Sequence, residues 1–182
     1  MSFDWVGLLK SLLQTPSPMT GAPSIGGTCS VPISSTGYNR EVDEAAVRAR
    51  IVAFMLSQLG KPYKLGVEIT PGKEAWASEW DCSELVEAAY RLARHVMPDG
   101  ARFQFAATQP IRSPKPGDLF FLWSDKLNYI GHVMAATGRG TVVHAVGGRG
   151  VVEDPMSMWE YHARGRGWRR HVDFARPRED MA

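Results

Sequence analysis

Trp80-Asp81-Cys82-Ser83-Glu84-Leu85-Val86 marks the point where a loop rich in Gly, Lys and Glu gives way to helical periodicity. Leu85, Val86, Ala89, Leu92, Ala93 and Val96 recur at helical spacing, which predicts a helix from residue 83 to about 96 with Cys82 at its opening. A thiol in that position faces unpaired backbone N–H groups and the positive end of the helix dipole, which can lower its pKa from about 8.5 towards roughly 3.5 to 7.5. Such a cysteine is either a nucleophile or a small apolar residue packed in the core, where most free cysteines sit. The stretch alone leaves both possibilities open.

Upstream, residues 61–80 form a loop carrying Tyr63, Gly66, Pro71 and Gly72. Before it a long helix is predicted over residues 42–59, with Ala46, Val47, Ile51, Phe54, Met55, Leu56 and Leu59 as its apolar set and Gly60 and Pro62 as its stop. Residues 14–39 are rich in Pro, Gly, Ser and Thr and read as a linker or extended arm without regular structure. Cys29 lies inside it, where nothing builds a helix end or supplies a base. Residues 2–14 place Trp5, Leu8, Leu9, Leu12 and Leu13 at helical spacing behind a Ser2 N-cap, a short amphipathic helix that needs something to dock on. The expected organisation is an arm over residues 1–40, a domain over 41–176 and a tail over 177–182.

Downstream, residues 98–116 read as a connection, and then the periodicity changes. Apolar runs at 118–123, 132–137 and 141–146 predict strands, with Gly138-Arg139-Gly140 as a hairpin turn between the last two. A strand at 151–153, a short helix opened by Asp154-Pro155 and reaching about residue 161, and a closing strand at 168–174 complete the chain. Helices first and a meandering antiparallel sheet after define an α+β fold.

A cysteine nucleophile needs a base, and the base needs an orienter. His132 and His144 stand on the two arms of the predicted hairpin. A turn centred on Gly138 pairs them across the strands, Cβ atoms about 4.5 to 5.5 Å apart and side chains on one face. His132 is then the base and His144 the group that fixes its tautomer. A metal site with Cys82 would need further ligands, and none is spaced for it. His95, His162 and His171 are expected at the surface or at a helix end. Arg164, Arg166, Arg169 and Arg170 around Trp168 are expected as a solvated face, because Glu153, Asp154, Glu160 and Asp173 flank them.

With 182 residues, 44% of them hydrophobic, the chain can build one domain with an ample core. The net charge of +2 suggests neither a nucleic-acid nor an acidic-surface partner. Two cysteines make no disulfide framework. No run approaches the roughly 18 to 20 apolar residues that span a bilayer, and the N-terminus does not read as a secretory signal. Gly147-Gly148-Arg149-Gly150 lacks the Lys-Ser/Thr of a phosphate loop.

With Cys82, His132 and His144 placed, the chain resembles the NlpC/P60 cysteine peptidases, a papain-like fold that cuts bacterial cell-wall stem peptides. Over roughly residues 45–150, Gly60-Lys61-Pro62-Tyr63 resembles the family's lead-in and Asp81-Cys82-Ser83 with Leu85-Val86 its nucleophile motif. Pro116-Gly117-Asp118-Leu119 with Phe120-Phe121 resembles the start of its sheet, Gly131-His132-Val133 its base and Val143-His144-Ala145 its third polar residue. The resemblance implies a helix bearing the nucleophile packed on an antiparallel sheet, and attack of the Cys82 thiolate on an amide carbonyl through an acyl-enzyme. His132 would be base and His144 its orienter, Tyr63 would line the site, and Asp81 and Ser83 would meet the substrate's free amine or neighbouring polar groups. No cofactor or metal is implied. The bond expected to be cut lies between D-glutamate and the diamino acid of peptidoglycan. Three departures bear on the substrate pocket: Glu84 where a glycine is usual, Lys64-Leu65-Gly66 after Pro62-Tyr63, and Met134 after His132-Val133.

Members of the family that start without a signal peptide include phage lysins, phage tail-tip hydrolases and contact-delivered toxins. The N-terminal helix and arm point to a phage tail protein, bound to neighbouring tail proteins through residues 1–40. Its expected place is the virion, or the host cytoplasm before assembly. The alternatives are an N-acetylmuramoyl-L-alanine amidase, or a tail assembly protein whose papain-like site is idle.

Overall fold

The computed structural model describes residues 38–172 and 174, with side chains from residue 44 onward. They fall within one compact unit, Ser35–Ala182. The helix expected at residues 2–14, the arm at 14–39 with Cys29, and the tail at 177–182 lie outside the described residues.

Helix α1, Tyr38–Ser57, begins earlier than its apolar pattern. Val47, Ile51 and Met55, each four residues on, form the buried stripe, whereas Ala46 and Leu59 face solvent. Gly60, at φ +83, stops the helix in a conformation that side chains with a Cβ rarely adopt. Helix α2, Cys82–Leu92, ends before the predicted residue 96 because Arg94 turns left-handed at φ 63 and the His95 N–H returns to the Tyr90 carbonyl at 2.9 Å. Leu92 and Val96, expected in the core, are therefore exposed.

The stretch 98–116 is not a bare connection. It contains helix α3, Ala101–Ala106, and strand β1, Thr108–Pro110. The remaining strands are β2 Leu119–Ser124, β3 Tyr129–Ala136, β4 Thr141–Val146, β5 Gly150–Pro155 and β6 Gly165–His171, with a short helix α4, Ser157–Glu160, before β6. Asp154 and Pro155 end β5 rather than open that helix. β2 to β5 form a meander, but the sheet order is β1-β6-β2-β3-β4-β5, so β6 returns across the sheet to pair with the free edge of β2 and with β1.

Side chains alternate across the sheet. Leu119, Phe121, Val133, Ala135, Val143 and Ala145 join Ile51, Met55, Leu85, Val86 and Tyr90 in the core between sheet and helices. Phe120, Leu122, Met134, Ala136, Val142 and Trp168 form a second core on the other face, against which Ile111, Met156 and Trp159 pack. Met134 thus fills the far side of the sheet from the main core.

Fully buried Asp118 at the start of β2 ties the layers together. It accepts from Arg48 of α1 at 3.0 Å, from Arg170 of β6 at 2.9 and 2.6 Å, and from the Lys115 N–H at 2.7 Å. Arg169 donates to Thr108 of β1. Arg169 and Arg170 are therefore structural ties, and only Arg164 and Arg166 of the predicted solvated face are exposed. Of the histidines expected at the surface or at a helix end, His95 does lie at the end of α2, but it and His171 are buried against Tyr90 and, for His95, Phe174. No helix among the described residues is long and apolar enough to cross a membrane.

Candidate active site

Cys82 is the first residue of α2, and Asp81 is its N-cap. The Asp81 carboxylate accepts from the Glu84 N–H at 2.8 Å, the Ser83 hydroxyl at 3.0 Å and the Gly66 N–H at 3.0 Å. This fastens the loop before the helix to its first turn and satisfies orphan N–H groups. Asp81 and Ser83 line the cleft beside Cys82, with much of their hydrogen-bonding capacity spent on each other. Tyr63 forms an isolated parallel bridge with Trp80, which keeps its ring near the nucleophile loop. Cys82 is a free thiol.

The histidine pair forms as expected, by a different register. β3 and β4 pair Ala135 with Val143 and Ala136 with Val142, so the turn centres on Arg139 rather than Gly138. The shift moves partners by two residues, and a two-residue shift keeps side chains on the same face. His132 and His144 become diagonal neighbours, with His132 Nε2 2.8 Å from His144 Nδ1. A bulge sits beside them: Leu122 pairs with His132 and Trp123 with Ile130, leaving Gly131 unpaired. Ile130 and Val133 both enter the main core, so the strand changes face within these residues. Bulges re-aim side chains in this way. Only glycine fits here, because a Cβ on Gly131 would lie 2.6 Å from the Ser124 Cβ. The Val133 N–H, next in the chain to His132, meets the Cys82 sulfur.

Beyond His144 the structure adds to the site two residues that the sequence placed elsewhere, Asp154 at a helix start and Arg149 in a glycine-rich turn. His144 Nε2 lies 3.0 Å from Asp154 Oδ2, and Arg149 grips both carboxylate oxygens at 3.0 and 2.6 Å. Asp154 pairs across the sheet with Val142, two residues from His144, so this link is again diagonal. Strand alternation through Val151-Val152-Glu153-Asp154 could have placed Asp154 on the histidine face. Assigning it to a helix start hid that. His144 is fully buried and covered by the Trp159 ring, centroids 5.2 Å apart.

Burial dominates the electrostatics. It pushes the Cys82 thiol up to about 11, helped by the Asp81 charge and opposed by backbone N–H groups at the sulfur. Helix position alone had suggested a lowered value, but desolvation of the thiolate outweighs the dipole. Burial, then the neighbouring His144, brings His132 down to about 3. His144 is lowered by burial against the pull of Asp154. Cys82 and His132 therefore rest as neutral thiol and neutral imidazole. Tyr63 is raised to about 12 by burial, then by the Cys82 and Asp81 charges, and keeps its hydroxyl proton. Glu84 does not aim its charge at the thiol. Its carboxylate accepts from the Ile69 N–H at 3.2 Å and faces Arg91 at 3.5 Å, and burial raises it to about 7.

A cleft of about 290 Å³ opens beside Cys82, lined by Asp81 and Ser83, by Asp99 and Arg102, and by Leu65 and Tyr129. It offers charges of both signs with apolar walls. Among the described residues one set of potential metal ligands converges, Glu84, Glu87 and Asp99, and it includes neither Cys82 nor the histidines. Arg91 pairs with both glutamates and with Glu74.

A cysteine opening a helix that packs on an antiparallel sheet, with a histidine pair on that sheet, defines a papain-like α+β protein. The chain belongs to the NlpC/P60 family, whose model matches residues 60–170. The match begins later and ends later than the sequence motifs suggested, and it takes in β5 and nearly all of β6. Solved structures of similar fold include NlpC1 from Trichomonas vaginalis, 27% identical, covering 66% of this chain and 44% of that one with a TM-score of 0.54. An NLP/P60 family protein similar to lipoprotein from Staphylococcus aureus is 23% identical, covering 92% and 48%, TM-score 0.57. The peptidoglycan hydrolase RipB from Mycobacterium tuberculosis is 22% identical, covering 82% and 74%, TM-score 0.58. The chain spans less than half the length of the first three such structures. No curated protein matches the sequence.

Proposed function

We propose that the protein is a cysteine endopeptidase that hydrolyses the stem peptides of bacterial peptidoglycan between D-glutamate and the diamino acid. The observation that carries this is the 2.8 Å contact of His132 with His144 on the strand whose next N–H meets the Cys82 sulfur. The two groups start neutral, so the sulfur attacks the amide carbonyl as its proton passes to His132. The leaving amine then takes that proton, and water, deprotonated by the same imidazole, releases the acyl group from the thioester. Tyr63, still protonated and close enough to Cys82 to feel its charge, offers a hydroxyl donor to the reacting carbonyl. The cleft suits a short peptide bearing both amine and carboxylate groups, since Asp99 and Arg102 both reach it. For its setting we propose a phage tail tip, with residues 1–40 as the anchor to neighbouring tail proteins. The helical spacing of apolar residues over 2–14, followed by Pro/Gly-rich sequence, supports a tether.

Incubation with purified peptidoglycan and mass analysis of the soluble fragments tests the chemistry. Fragments cut after D-glutamate are expected, absent with Cys82→Ala. Intact stems released from the sugar would instead identify an amidase, and no release would identify an idle site in an assembly protein. Deleting residues 1–37 is expected to abolish incorporation into tails while leaving hydrolysis intact.

A further inference from the structure

Proton positions in the chain of contacts behind Cys82 are not free to vary. Arg149 is a guanidinium, which only donates. Asp154, held by two of its N–H groups, is an anion that only accepts, and Arg149 first and His144 second keep its pKa down at about 2. The nitrogen of His144 that meets Asp154, Nε2, must therefore carry a hydrogen. A neutral imidazole has one such hydrogen, so His144 Nδ1 is a bare lone pair. That lone pair faces His132 Nε2 at 2.8 Å, so the hydrogen of His132 sits on Nε2. His132 Nδ1 is left as the open acceptor.

We infer that Asp154, clamped by Arg149, is a positioning residue that sets the tautomers of His144 and then His132, so that His132 presents a lone pair rather than an N–H to the nucleophile. The inference rests on His132 being the base for Cys82. In the step it prepares, the S–H bond breaks, the proton forms a bond to His132 Nδ1, and thiolate and imidazolium result. The Nε2 hydrogens stay where they are. The developing positive charge is felt through two aligned hydrogen bonds by the Asp154 carboxylate. The architecture is suited to this: three neighbouring strands each contribute one member, by two diagonal steps on one face. Trp159 covers the middle member and excludes water that could substitute as donor or acceptor. Arg149 stands apart in being half exposed on the turn between β4 and β5, with its side chain 48% accessible.

The test uses ¹⁵N-histidine NMR of the full chain together with the rate of Cys82 alkylation by iodoacetamide at pH 7. Burial leaves little free thiolate at that pH, so alkylation depends on His132 taking the proton. Neither measurement uses peptidoglycan, so the relay can hold where the proposed substrate is wrong, and the reverse. In the wild type both His132 and His144 are expected as Nε2–H tautomers. Asp154→Asn offers an amide N–H to His144 and is expected to shift the tautomers and slow alkylation about 10- to 100-fold, with the fold retained by circular dichroism. Asp154→Glu is expected to restore part of the rate. Arg149→Ala, at an accessible position, is expected to fold normally and give a smaller loss. A Nδ1–H tautomer at His144 in the wild type would overturn the inference, as would wild-type alkylation in a folded Asp154→Asn. Should Asp154→Asn not fold, the wild-type tautomers and the Arg149→Ala rate decide alone: Nδ1–H at either ring, or no loss, refutes it.

Discussion

Burial and helix position act on Cys82 in opposite directions. The dipole and backbone N–H groups favour the thiolate, while 6% exposure and the adjacent Asp81 carboxylate favour the thiol, and the second pair wins. Alkylation of Cys82 is therefore expected to be slower at pH 7 than that of an unhindered cysteine and to climb with pH towards about 11. A rate already at its plateau below pH 7 would show a resting ion pair instead. Glu84 gives a second expectation at this scale. Its folded pKa of about 7 stands above the ordinary 4.5, so its contribution is full below pH 4.5 and is lost as pH rises through 7. Denaturant titrations at pH 5 and pH 8 should show the wild type losing more stability across that interval than Glu84→Gln. Equal losses would show that the buried carboxyl does not titrate there.

Elements matter through two places where regular geometry is broken. The Gly131 bulge changes the face of β3 just before His132, and nothing larger than glycine fits against Ser124. Gly131→Ala is expected to cost about 1 to 3 kcal/mol from overpacking and to lower the proposed hydrolysis more than stability, since it displaces the adjoining His132, the proposed base. Ser124→Gly in the same chain removes the clashing Cβ and should recover activity; if it does not, the bulge is not what aims His132. The turn between β4 and β5 is comparably constrained. Gly150 has φ +77, and a Cβ there would meet the Lys61 carbonyl at 2.4 Å. This close approach brings the strand that bears Asp154 against the loop that leads to Tyr63. Gly150, next to Arg149, is thus explained by chain packing.

For the molecule as a whole, Asp118 is the junction of helix, sheet and returning strand. Removing it leaves Arg48, almost fully buried, with Glu44 as its remaining carboxylate partner, and takes from Arg170 the carboxylate that both of its N–H contacts reach. Asp118→Ala is expected to destabilise by about 3 to 5 kcal/mol, read as a lower denaturant midpoint. A change below about 1 kcal/mol would mean that water replaces the carboxylate. Much of this architecture was legible beforehand. The helix periodicities, the β2–β5 meander, Cys82 at a helix opening and the His132–His144 pair all follow from spacing, because a side chain's face repeats every 3.6 or 2 residues wherever the element sits. The pair survived a wrong turn centre because face has a period of two and the error was two. What spacing cannot carry is which distant groups meet and how much water they lose. The return of β6 beside β2, the Arg48–Asp118–Arg170 tie, the reach of Asp154 and Arg149 to His144, and the upward shift of the Cys82 thiol depend on long-range packing and desolvation. The sequence by itself determined the class of fold and the three residues of the candidate site; the tertiary structure decided their protonation and the carboxylate behind them, since both arise from burial between strands far apart in the chain.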